Sequence, residues 1–302
     1  MRVRRLIRVA SMGVALAWAP ALVDLAALDP GAERSVQAAA GGCGTTWTTQ
    51  DAGTSLPLTG VAWTGTLVAV VNDSSSSVLT SPDGIAWTQH STGTVHAFNG
   101  IVWTGAQLVA VGSVGDIMTS SDGISWAPRI SGVSADLFGV CWTGTELVAV
   151  GQGGVIVTSP DGISWTKRSS GISSYLYAVE WTGTQAVAVG GGGVIITSPD
   201  GVTWTQRTSG TVVYLMGVAT NGAVMVAVGT SSWVYTSPDG VTWTGRNSGV
   251  ASVNYYAVVW TGGLFVAAGS AGTIVTSPDG VTWTAQASGT SANLHGVAST
   301  GA

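Results

Sequence analysis

The sequence predicts an all-β protein made of repeated four-stranded antiparallel units, and three observations carry that reading. Gly numbers 44 and Trp 14 in 302 residues while charged residues make up 8%, a balance that suits short strands with tight turns and neither disorder nor helix. A Ser-Pro-Asp-Gly-x-x-Trp box recurs along the chain, with Ser121 replacing Pro in the second copy, its Asp at Asp83, Asp122, Asp161, Asp200, Asp239 and Asp279 and its Trp at Trp87, Trp126, Trp165, Trp204, Trp243 and Trp283. Each period then divides into four apolar runs rich in Val, Ile, Thr and Trp, separated by Gly, Ser or Asp.

Read from Leu137, the runs are "LFGVCWTG", "ELVAVGQGG", "VIVTSPDG" and "ISWTKRSSG". Four strands in about 40 residues make one β-propeller blade, and no helical segment supports a helical solenoid. Six complete repeats run from about Leu56 to Gly289. "TTWTTQ" before them resembles an isolated fourth strand, and "NLHGVASTGA" after them an isolated first strand. Propellers close by sharing a blade between the two ends of the chain. The leftovers therefore predict a split, incomplete seventh blade, which about twenty further residues would complete; a six-bladed ring with loose ends is the alternative.

The first forty residues differ in kind. Arg2, Arg4, Arg5 and Arg8 precede the apolar "VASMGVALAWAPALV", and Ala38-Ala39-Ala40 offers a small-residue cleavage site. That is a secretory signal pattern. Asp24 ends the apolar run at about fifteen residues, short of the roughly 20 that a membrane span needs. Residues 1–40 thus read as a signal peptide and 41–302 as one exported propeller domain. Arg4-Arg5 would suit a twin-arginine route, and whether Cys43 is lipidated stays open. Beyond residue 40, five basic residues face twelve acidic ones, a net charge of −7. Nucleic-acid binding requires a basic footprint that this chain lacks. Cys43 and Cys141 are too few for a disulfide framework, and Cys141 reads as a small buried residue.

The box itself reads as a structural staple. Pro82 fixes φ in a type I turn, Gly84 takes the left-handed position, and the Asp83 side chain accepts bonds from its own turn. Trp87 is expected to fold over the turn and seal the blade's outer edge. A calcium site would need 6–8 oxygen ligands, and each box supplies one carboxylate and one hydroxyl. At this point the chain resembles the Asp-box (BNR) repeat propellers, among them sialidases and photosystem II assembly factors. Asp and Gly are adjacent here, one residue closer than in that pattern. The resemblance implies a structural box, lying on the face opposite any active site.

A sialidase-like site would need an arginine cluster at the propeller axis. Arg129, Arg168, Arg207 and Arg246 instead recur 39 residues apart on the fourth, outermost strand. Glu180 is the one carboxylate on an innermost strand and has no second acid or base nearby in sequence. His90, His96 and His295 form no recognisable catalytic or metal-binding spacing. No cofactor or metal is expected. Five of six tyrosines, Tyr175, Tyr177, Tyr214, Tyr255 and Tyr256, fall at the starts of three consecutive inner strands. With His295 and Glu180 they form the candidate ligand face, suited to a glycan, peptide or protein partner; the alternative is that Tyr177 and Tyr256 pack between blades. The expected function is a non-catalytic binding scaffold, monomeric. The resemblance supplies two alternatives: a sialidase-like hydrolase or its inactive relic, and an assembly factor for an exported membrane complex.

Overall fold

A computed structural model describes residues 56–73 and 77–301, with Trp47, Gln50 and 52–54. Ahead of these only backbone is described, as short strands over 8–9, 13–18, 21–25 and 36–38, of which 13–18 runs parallel to Leu294–Gly301. Cys43 and most of the expected strand over 45–50 lie outside the described residues.

The six repeats form six separate four-stranded antiparallel sheets, each in simple sequence order. In blade three the strands are Leu137–Trp142, Leu147–Gly151, Ile156–Ser159 and Thr166–Arg168. Leu147 pairs with Trp142 on one side and Ser159 on the other. Its two middle strands are buried at every position. The neighbouring blades cover both faces of each sheet, which is why "LVAVG" and "IVTS" read as continuous apolar runs without alternation. Cores therefore lie between blades. One, for example, joins Val148 and Val150 of blade three to Leu176, Val179 and Ala188 of blade four.

The innermost strands form the wall of a central channel. Those of blades one to six are Leu58–Trp63, Phe98–Trp103, Leu137–Trp142, Leu176–Trp181, Leu215–Thr220 and Tyr255–Trp260. Each packs on the next, and Leu294–Gly301 packs on both Tyr255–Trp260 and Leu58–Trp63. Seven strands thus line the channel, while six complete blades surround it. Small residues make this ring possible. A Cβ on Gly100 would lie 2.8 Å from the Phe138 carbonyl oxygen, and one on Gly139 would lie 3.0 Å from the Ala178 Cα. Cross-blade hydrogen bonds add to the closure: the Asn99 amide donates to the Leu137 carbonyl at 2.8 Å, and the Thr59 hydroxyl donates to the Phe98 carbonyl.

The box turns have the predicted chemistry. In blade four the Asp200 carboxylate accepts bonds from the Val202 and Thr203 amides at 2.9 and 2.8 Å and from the Ser198 hydroxyl at 3.0 Å. Gly201 sits at φ +72°. The Trp204 indole N–H donates to the Gly201 carbonyl at 2.9 Å. The same set of Asp and Trp bonds recurs at Asp83, Asp122, Asp161, Asp239 and Asp279. One expectation is corrected. The box Trp does not seal the outer edge; Trp204 packs on the cluster between blades three and four, and Trp283 on the cluster between blades five and six. Tethered to the turn, the indole buries more apolar surface against the neighbouring blade than the thin outer edge could offer.

Candidate functional site

The channel opens on the face opposite the box turns into a cavity of about 340 Å³. Each of the seven inner strands gives three residues to it. The outermost of these three come from one repeat slot, held in turn by Thr59, Asn99, Phe138, Tyr177, Met216, Tyr256 and His295. That slot sits where the chain enters the inner strand, and in most blades a register shift there frees it from regular pairing. The slot just before it is buried core: Leu58, Phe98, Leu137, Leu176, Leu215, Tyr255 and Leu294 are all 0% exposed. One residue earlier still, the side chain stands on the surface.

These three slots sort the predicted tyrosines. Tyr175 and Tyr214 hold the surface slot, 41% and 54% exposed. Tyr177 and Tyr256 hold the mouth slot and are half-buried. Tyr255 holds the core slot, so it leaves the candidate face and joins the cluster with Phe265 and Val275. The cause is one additional residue in the connection "SGVASVNYYAV", where the box spacing rises from 39 to 40. Phe138 and Met216, which sequence reasoning left out of the face, belong to it. Their type gives no functional signal; only their slot does.

The rings form a continuous arc. Phe138 lies 6.0 Å from Tyr175 and 5.6 Å from Tyr177 between centroids. Tyr177 meets Tyr175 at 6.2 Å and Tyr214 at 6.3 Å, both edge to face. Farther round the mouth, His295 stacks on Tyr256 at 4.2 Å and 7°. Such pairs hold the rings rigid before any ligand arrives. Burial and the neighbouring hydroxyls of Tyr214 and Tyr175 push the Tyr177 phenol upward. The Gln152 amide donates to the Tyr175 hydroxyl at 3.0 Å. Burial lowers the His295 imidazole from 6.5 to about 4, so it is neutral at physiological pH. Glu180 lies on the same inner strand as Tyr177. It keeps partial contact with solvent, yet dense protein surrounds its carboxyl, and that enclosure governs its desolvation. Burial alone raises it from 4.5 to about 7.

The arginines lie away from this site. Nε of Arg129, Arg168, Arg207 and Arg246 each donates to a Thr hydroxyl on the third strand of its own blade, at 2.9–3.1 Å. His90 and Gln286 hold the same slot and bond Thr80 and Thr276 in the same way. The slot is a cross-strand tie on the outer rim.

One grouping was not legible in the sequence. His96 Nδ1 lies 2.9 Å from Asp116 Oδ2, to which the Thr94 hydroxyl also donates at 2.7 Å. The hydroxyl faces the acid rather than a free imidazole nitrogen, so this is not the order of a nucleophile, base and orienting acid. Among the described residues, no group of three or more His, Cys, Asp or Glu could hold a metal ion. No described helix is long and apolar enough to cross a membrane.

Comparison with protein-family models finds no match, and comparison with curated proteins finds none. Similar solved structures share the architecture. YCF48 from Cyanidioschyzon merolae matches with a TM-score of 0.61 and 16% identity over 78% of this chain and 86% of that chain. YCF48 bound to D1 peptide matches at 0.71 and 17% over 89% and 92%. The β-propeller domain of Cps50 (Swd1) from Myceliophteria thermophila matches at 0.59 and 14% over 78% and 87%. By fold, the chain is a β-propeller. At these identities the likeness extends to the fold alone, and the propeller's function must be argued from its own site.

Proposed function

We propose that this propeller is an exported, non-catalytic binding scaffold that takes an extended peptide segment of a protein partner at its channel mouth. The carrying observation is the arc of rings from Phe138 through Tyr175 and Tyr177 to Tyr214, set beside a cavity of about 340 Å³. Rigid aromatic side chains give large contact area at low entropic cost. A YCF48 propeller solved with D1 peptide lends support, since the same architecture there holds a peptide. The basic start, short apolar run and alanine-rich site of residues 1–40 support export. We read the Ser-Pro-Asp-Gly turns as Asp-box-type staples. Leu294–Gly301 we read as the inner strand of a seventh blade position, because it stands between the inner strands of blades six and one.

The test is selection of a random peptide library on the immobilised protein and on a Tyr175→Ser, Tyr214→Ser double variant. Enrichment that the double variant abolishes is the expected result. Enrichment that ignores both substitutions, or turnover of a fluorogenic sialoside by the wild-type protein, would contradict the proposal.

A further inference from the structure

The charges of this propeller are segregated. All five basic residues beyond position 40 lie on outer strands: Arg129, Lys167, Arg168, Arg207 and Arg246. None of the residues lining the channel mouth is Lys or Arg. The connections on the mouth face instead carry Asp73, Asp116 and Asp136, and Glu180 is the one carboxylate on an inner strand. The rings at the mouth cross at 32–72°, so their electron-rich faces point in several directions.

We propose that the channel mouth receives the basic side chain of a lysine or arginine carried by an extended peptide segment. This rests on the peptide-binding reading above and names the chemistry that the site selects. A cation over the face of Tyr or Phe is attracted by the ring quadrupole. Its aliphatic stem packs against Met216 and Val179 of the cavity wall, while the charged end stays near the rings and the acids. Asp116, already bonded to His96 and Thr94, and Asp136, which accepts the Val114 amide, add negative potential to this face. A carboxylate or phosphate would find no cation at the mouth and would face the negative side of each ring. A purely apolar side chain would fill the space but leave the acidic face unanswered. The net charge of −7 beyond residue 40 adds a long-range field of the same sign.

The experiment is calorimetric titration of the full chain with four heptapeptides of one Gly/Ser framework. They carry three lysines, three arginines, three norleucines or three glutamates, and a neutral oligosaccharide serves as a fifth ligand. Lysine and arginine peptides are expected to bind at least about tenfold more tightly than norleucine, with glutamate unmeasurable. Tyr177→Leu should weaken the lysine peptide about fivefold to thirtyfold while Tyr177→Phe retains most of the affinity. Should Tyr177→Leu fail to fold, the exposed Tyr175→Ser and the pair Asp116→Asn, Asp136→Asn provide the same readout. Norleucine or glutamate binding as well as lysine would overturn this inference and leave the peptide scaffold standing. Binding of the oligosaccharide alone, or of no ligand, would overturn both.

Discussion

Glu180 is the residue where stability and site meet. Its carboxyl is raised from 4.5 to about 7 by burial, so the folded state holds a proton that the unfolded chain has released. Glu180 therefore favours the fold below pH 4.5, and that contribution is lost as pH rises towards 7 and above. Glu180→Gln should raise stability at pH 8 by about 1–2 kcal/mol, discounted for its partial contact with water, and change little at pH 5. Denaturant unfolding at the two pH values measures this, and equal effects at both would refute the assignment. The box turns respond the other way. Asp200 is held below the ordinary carboxylate range by the Thr203 and Val202 amides, so its contribution is present at neutral pH and lost as pH falls through its lowered value. Asp200→Ala should cost about 1 kcal/mol through two unpaired turn amides. Gly201→Val should cost about 1–3 kcal/mol, since a β-branched residue is strained at φ +72°. Wild-type melting temperatures in both variants would refute the staple.

At the scale of the element, the inner strand does two jobs that its sequence shows unequally. The small residue after the mouth slot, Gly or Ala followed by Val or Ile, keeps neighbouring strands in backbone contact. Gly100→Val should therefore push against the Phe138 carbonyl, 2.8 Å from the added Cβ, and destabilise by about 2 kcal/mol or more. Gly263→Val, where an added Cβ meets no atom within 4 Å and the backbone is not in the positive-φ region, is the control. Equal melting temperatures for Gly100→Val and wild type would refute close strand approach. The repeat, the four runs per period and the turn chemistry were legible because each follows from local spacing. The slots were legible only in part. Tyr255 read as a surface residue because the one-residue insertion before it moves Tyr255 onto the Leu position, a shift that alignment to Leu215 and Leu294 reveals. The direction of the box Trp depends on the neighbouring blade, about 40 residues away in sequence, and no local pattern encodes it.

For the whole molecule, sixfold repetition of the staple and of the outer-rim tie contrasts with the irregular mouth. A structural device can recur in every blade; recognition needs asymmetry, and the arc of rings spans only part of the circle. The Arg slots show how sequence periodicity separates structure from recognition: four arginines at equal spacing tie strands, and none of the described residues lining the channel mouth is Lys or Arg. His96 and Asp116 escaped sequence reading because they meet across two different connections, twenty residues apart. The most direct test of the account is hydrogen–deuterium exchange with and without a peptide selected on the protein. Protection confined to the entries of the inner strands, around 136–140, 175–179 and 214–218, is the predicted result. Protection at the box turns or along the outer strands, with those entries unchanged, would contradict a binding site at the channel mouth.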